Sequence, residues 1–230
     1  MVINERVFIA EFISRPNRFQ AYVNLNGVEL MVHVPNTGRC REILTPRAKV
    51  LLREELNPSR KTLYDLIGAY KNNKIINIDS QIPNKVVDEA LKNRKIQKLV
   101  KYNIIQREKT FGNSRFDFRL SNNLDEVYYL EVKGVTFEVD GKTMFPDAPT
   151  ERGRKHILEL IEAKKTGFGA GILFLIQMSN ISRFSPYDAM DEAFGDTLRS
   201  AKENGVDIFA YECKVGEKFI TLSLPVPVIL

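Results

Sequence analysis

Tryptophan is absent from the 230 residues, and cysteine and histidine occur only twice each. Cys40 and Cys213 lie far apart in sequence. No CxxC pair and no Cys/His zinc spacing exists, so a disulfide framework is not expected, and a reducing compartment fits. Long apolar runs are also missing. The longest, Ala170 to Ile176, is far too short to span a bilayer. The N-terminal stretch MVINERVFIAEF carries charges among its apolar residues and lacks the apolar core of a signal peptide. These absences predict a cytoplasmic protein with no membrane role. Internal repeats and low-complexity tracts are absent too.

Charge is plentiful. Lys plus Arg number 34 against 29 Asp plus Glu, giving a net charge of +5 and a pI of about 9.1. A modest positive excess favours polyanionic partners such as nucleic acid, although it does not identify one.

The pattern along the chain changes near residues 80–85. Before it, short alternating segments predict strands at Arg6–Ser14, Phe19–Leu25, Val28–Val34, Ala48–Arg53 and Leu63–Tyr70, with a further one at Lys74–Ile78. Asn26-Gly27 suits a tight hairpin turn, because both residues tolerate positive φ. Five short strands in about 75 residues suggest a small closed barrel, with an OB-like barrel as the leading case beside sandwich and SH3-like alternatives. After it, a helix over Asn84–Gln97 precedes strands at Tyr102–Lys109, Arg115–Leu120, Val127–Lys133 and Val135–Val139. Thr150 reads as the N-cap of a helix reaching Lys165. The unbroken apolar run Gly171–Gln177 reads as a strand covered on both faces. A helix over Asp188–Asn204 and strands at Val206–Cys213 and Lys218–Leu222 complete a mixed α/β domain. The expected division is 1–82 for the barrel and 83–230 for the α/β domain.

Two segments carry candidate chemistry: Ser114-Arg115-Phe116-Asp117-Phe118 and Leu130-Glu131-Val132-Lys133. Residues two apart on a strand point the same way, so Glu131 and Lys133 share a face. Asp117 sits on the preceding strand. Antiparallel pairing would bring the two acids together. Two carboxylates with open positions suit Mg²⁺ or Mn²⁺, with the Val132 carbonyl as a further oxygen. Such an ion polarises a phosphoryl oxygen and acidifies bound water, and Lys133 would stabilise charge on the phosphate. Glu108 is the candidate third acid. An acid-x-base pair on a strand is ordinarily two solvated charges. The combination with Asp117 and with a basic helix start raises it to a candidate phosphodiesterase site.

That helix start is Thr150-Glu151-Arg152-Gly153-Arg154-Lys155-His156. Its amides and dipole favour anions, and Arg152, Lys155 and His156 fall within about one turn. The loop before it, from Met144 to Pro149, forms a candidate rim in which Asp147 either serves the metal or caps a turn. In the barrel, Arg15, Arg18, Arg39, Arg60 and Lys61 lie in polar loops near Phe19, Tyr22 and Tyr64. With Arg115 they are candidate nucleic-acid contacts. Phe19 and Tyr22 read more readily as barrel core.

The segments RPNRF (15–19), HVPNTGR (33–39), SRFDF (114–118), EVKG (131–134) and FPDAPTERGRKH (145–156), with Gly205-Val206 beyond them, occur in an order that resembles the sugar fermentation stimulation protein family, SfsA. The resemblance covers nearly the whole chain, and the 145–156 block is its most specific part. It implies an N-terminal OB-like barrel and a C-terminal domain similar to the PD-(D/E)xK nucleases. It also implies DNA binding without sequence specificity and a link to regulation of sugar metabolism. Carried over residue by residue, the nuclease pattern falls on Asp117, Glu131 and Lys133, with Glu108 as accessory acid. RNA in place of DNA stays open, as does a regulator without catalysis.

Overall fold

The computed structural model describes all residues from 1 to 230. Five strands made of small and branched residues alternating with polar ones close into a barrel: β1 (Val7–Ser14), β2 (Gln20–Leu25), β3 (Val28–His33), β4 (Lys49–Glu54) and β5 (Tyr64–Lys71). β1 pairs antiparallel with both β2 and β4, β2 with β3, and β4 with β5. The ring closes where β3 meets β5 in parallel at His33 and Asp65. This is the connectivity of an OB barrel. Closure leaves inward positions such as Ala21, Val23, Val32 and Leu66 fully buried. Asn26 and Gly27 turn between β2 and β3 with φ of 53° and 87°, as the dipeptide predicts. β6 (Lys74–Asn77) extends the sheet beyond β5.

The second unit begins with α1 (Ile82–Lys92), shorter and earlier than the predicted 84–97 span. Pro83 is tolerated in the first turn because no intrahelical N–H is needed there. Arg94, at φ 54°, stops the helix before a separate 3₁₀ turn at Gln97–Leu99. Strands β7 (Ile104–Phe111), β8 (Ser114–Ser121) and β9 (Val127–Val135) follow. The predicted strand at 135–139 is a correction. β9 runs on to Val135, the chain bends, and only Glu138–Val139 (β10) is extended. β10 joins β11 (Lys142–Phe145), which pairs in parallel with β13 (Arg183–Pro186) some forty residues later. Local periodicity does not foretell so distant a partner.

α2 (Glu151–Lys165), β12 (Gly169–Ile176), α3 (Asp188–Glu203), β14 (Asp207–Gly216) and β15 (Phe219–Pro225) complete the chain. The central sheet runs β15-β14-β12-β9-β8-β7, with β9, β12 and β14 parallel and the outer strands antiparallel. β12 is buried from Ala170 onward because both of its faces are covered. Ile172, Phe174 and Ile176 face the core shared with α2 and α3, whereas Leu173 and Leu175 face α1. Gly169 and Gly171 are required by their neighbour, because a Cβ at either would collide with the Tyr128 side chain.

The two units are joined by more than one linker. Met1 exchanges main-chain hydrogen bonds with Ile220 on β15, and the Ile3 N–H donates to the carbonyl of Lys218 just before it, ahead of the chain's entry into the barrel. The Gln177 amide donates to Asn77 Oδ1 at 2.9 Å and to the Asp79 carbonyl at 3.3 Å, and the Asn77 N–H donates back to the Gln177 carbonyl. This buried lock sits at the C-terminal ends of β9 and β12, beside Lys133 and Gly134. No helix is long and apolar enough to cross a membrane.

Candidate metal and nucleic-acid site

The β8–β9 ladder runs from Ser121 and Val127 to Phe118 and Leu130, and then ends. Beyond that point the Asp117 side chain replaces a main-chain acceptor. Its Oδ2 accepts the Val132 N–H at 2.8 Å, and its Oδ1 accepts from Asn84 Nδ2 on α1 at 2.7 Å. Asp117 is thereby fixed where the Glu131 charge reaches it. Burial pushes the Asp117 carboxyl above the usual range, and the nearby Glu131 charge adds to the rise against the hydrogen bonds it accepts.

Glu131 is 3% exposed. Its Oε1 accepts from two donors, Lys133 Nζ at 2.6 Å and His156 Nδ1 at 2.5 Å. Its Oε2 is buried and has no partner, one of three such side-chain atoms in the chain. Burial alone would raise this carboxyl, but the His156 hydrogen bond and the Lys133 charge outweigh it and hold the value below normal. A buried carboxylate oxygen with nothing to bond is costly. A divalent cation is the group that would satisfy it.

Nowhere in the chain do three His, Cys, Asp or Glu side chains gather into a metal-holding group. The protein ligands on offer are therefore Asp117 and Glu131, with Val132 contributing at most main chain. Its N–H is already given to Asp117. Few protein oxygens and several waters is the coordination Mg²⁺ favours. Glu108 does not join the pair. It lies on β7 between the pairs Arg107–Phe118 and Lys109–Phe116, with φ 53°, and its exposed carboxylate pairs with Arg115 at 3.2 Å.

Thr150 caps α2 as predicted, accepting the Gly153 N–H on its hydroxyl at 3.0 Å. Arg152 and Lys155 are exposed on the first turns of α2. His156 is not a surface contact, since it is 6% exposed and faces Glu131. Arg15 is likewise a correction. Its guanidinium donates to the carbonyls of Arg18, Asn36, Gly38 and Arg39, so it organises the loops and has no terminal nitrogen left over for phosphate. Arg60 is tied to Glu55 and Asp65 in a buried charge network that also holds His33 and Arg53. Phe19, expected in the core, is 54% exposed. Tyr64 is half-buried, edge-on to Phe8.

Arg18, Arg39 and Lys61 stay exposed in the barrel loops. Arg18 and Arg39, with Arg41, line a groove of about 600 Å³ between those loops and the Phe145–Thr150 segment. Asp147 closes its floor against Gly38, where a Cβ would meet its carboxylate at 2.7 Å. On one side the groove ends at Thr150, the N-cap of α2. Arg41 and Asn84 are the site residues that the sequence alone did not reveal. Arg41 extends the basic run begun by Arg39, a signal that was available. Nothing local marks Asn84, whose role comes from α1 crossing over β8.

Comparison with known proteins was consistent along the whole chain. Residues 81–219 match the family model described as the sugar fermentation stimulation protein RE domain, and residues 13–78 match the SfsA N-terminal OB domain. The chain is 66% identical over its full length to the whole of a sugar fermentation stimulation protein homolog from Clostridium acetobutylicum, and 64% identical to one from Clostridium perfringens, again over both full lengths. Among solved structures it is similar to that of Pyrococcus furiosus SfsA in complex with Ca²⁺, with 28% identity, full coverage of both chains and a TM-score of 0.89.

Proposed function

The chain belongs to the sugar fermentation stimulation protein (SfsA) family, and from that premise and the Asp117–Glu131 pair we propose a DNA-binding, Mg²⁺- or Mn²⁺-dependent phosphodiesterase of the cytoplasm. One observation carries the catalytic part. Both donors to Glu131 converge on Oε1 and leave Oε2 buried and unpartnered, in a carboxylate whose charge is felt at Asp117. The Ca²⁺ complex of the Pyrococcus furiosus relative supports an affinity for hard, oxygen-seeking cations.

Asp117 and Glu131 would hold the ion, with water completing its shell. When bound, it supplies polarisation of a phosphoryl oxygen and a more acidic water. The chain's own groups do the rest. Asn84 and the Val132 N–H orient Asp117. Lys133 gives one proton to Glu131 and keeps two donors for a non-bridging phosphate oxygen. Arg18, Arg39, Arg41, Arg152 and Lys155, with Lys61 and Arg115 farther out, neutralise backbone phosphates without reading bases. Such contacts support binding to DNA without sequence specificity and leave RNA open.

The separation of Glu108 from the acidic pair favours a second reading, a non-catalytic DNA-binding regulator of sugar metabolism genes. Incubation of plasmid and single-stranded oligonucleotides with Mn²⁺ and Mg²⁺ separates the two. Cleavage by wild type, abolished in Asp117→Ala and Glu131→Ala, is the expected result. Equal inertness of all three proteins with every metal and substrate would leave only the regulator.

A further inference from the structure

We infer that His156 is a positioning residue that turns the Glu131 carboxylate so that one oxygen is presented to the metal, an inference that rests on the phosphodiesterase reading above. The imidazole is buried on the second turn of α2 and lies edge-on to Phe116, with ring centroids 6.1 Å apart. Its two nitrogens have different partners. Nδ1 faces Glu131 Oε1 at 2.5 Å, and Nε2 faces the Nε–H of Arg152 at 3.5 Å. A guanidinium has donors only and keeps its charge in proteins, so Nε2 is the acceptor. With Nε2 accepting, the ring proton sits on Nδ1 and points at Glu131. Arg152 thus sets the tautomer that His156 needs in order to donate.

Lys133 Nζ reaches the same oxygen at 2.6 Å. Lys133 alone is a flexible point charge and would donate to either carboxylate oxygen. The imidazole is planar, packed and fixed at both nitrogens, so it selects one. Both protein donors meet Oε1, and no protein group meets the buried Oε2. Hydrogen-bonded partners behind a ligating carboxylate typically change metal affinity by about 10–100-fold when removed.

The test is Mn²⁺ binding, measured calorimetrically on metal-free full-length protein without nucleic acid. Wild type is compared with Asp117→Ala, His156→Leu and His156→Asn. His156→Leu is expected to bind roughly 10–100-fold more weakly. His156→Asn is expected to recover most of the loss, because its amide nitrogen falls where Nδ1 was. If His156→Leu binds as tightly as wild type, or if Leu and Asn are equally impaired, the positioning role is wrong while the metal site stands. If wild type itself binds no better than Asp117→Ala, the metal site fails and this inference with it. ¹⁵N spectra of the two histidines in metal-free wild type provide a readout that needs no variant to fold. A proton on Nδ1 with an accepting Nε2 is expected for the buried ring, and a proton on Nε2 overturns the proposal.

Discussion

Two neighbouring carboxylates in this site carry stability effects of opposite sign, and neutralising them one at a time in metal-free protein exposes the difference. Asp117 holds its proton more tightly folded than unfolded, chiefly through burial and then through the Glu131 charge. Between the normal 3.8 and its raised value, stability falls as pH rises, so the ionised group is a net cost at pH 7. Asparagine keeps Oδ1 for the Val132 N–H and turns its amide toward Asn84, whose own amide can flip to accept it. Asp117→Asn is thus expected to stabilise, by roughly 0.5–2 kcal/mol, the usual gain from relieving a functional site. Glu131 is held below its normal 4.5, with burial overcome by His156 and Lys133. Its contribution is present above 4.5 and is lost as pH falls through the depressed value. Glu131→Gln weakens charge-assisted bonds from both partners, a loss of about 1.5–3 kcal/mol at pH 7. The two variants should then differ by roughly 2–5 kcal/mol, the sums of the lower and upper figures. Urea unfolding in EDTA at pH 7 measures this. Lowering the pH toward the raised value of Asp117 should shrink the Asp117→Asn advantage, because wild type takes up its proton, while the Glu131→Gln deficit persists above 4.5. Two changes of the same sign at pH 7 would refute the electrostatic account.

Gly171→Ala forces a Cβ against the Tyr128 hydroxyl, itself fixed by Asp207 at 2.9 Å, and should cost about 1–3 kcal/mol in urea unfolding. Arg53→Leu leaves Asp65 and Asp79 buried without their shared cation, for a loss of roughly 3–5 kcal/mol in the same assay. Arg39→Ala and Arg41→Ala should each lower the slope of log affinity against log salt by about one for any oligonucleotide sequence, as read by fluorescence anisotropy. Unchanged slopes would remove the groove from the nucleic-acid path.

What could be read from the sequence, and what could not, divides along the range of the interaction responsible. Alternation in Phe19–Leu25 and Val28–Val34 around Asn26-Gly27 is a local signal, and it marks the β2–β3 hairpin correctly. The apolar run ending at Ile176 is another, because burial on both faces leaves no polar position to confuse it. Strand periodicity and a short hairpin are enough to put Asp117 and Glu131 on neighbouring strands. Charged side chains behave differently. Arg15, Arg18 and Arg39 read alike in sequence, yet Arg15 holds four carbonyls while the other two face solvent. Whether an arginine binds its own chain or a partner depends on which loops meet around it, and residues 15–18 and 36–39 meet only once the barrel closes. The same holds for His156. Helical spacing groups it with Arg152 and Lys155 as a surface cation, but the position of α2 over β9 turns it inward onto Glu131. A basic cluster at a helix start therefore contains two chemistries. Residues 152 and 155 are exposed, whereas 156, four positions after 152, points back at the acid. Only the packing of helix on sheet tells them apart.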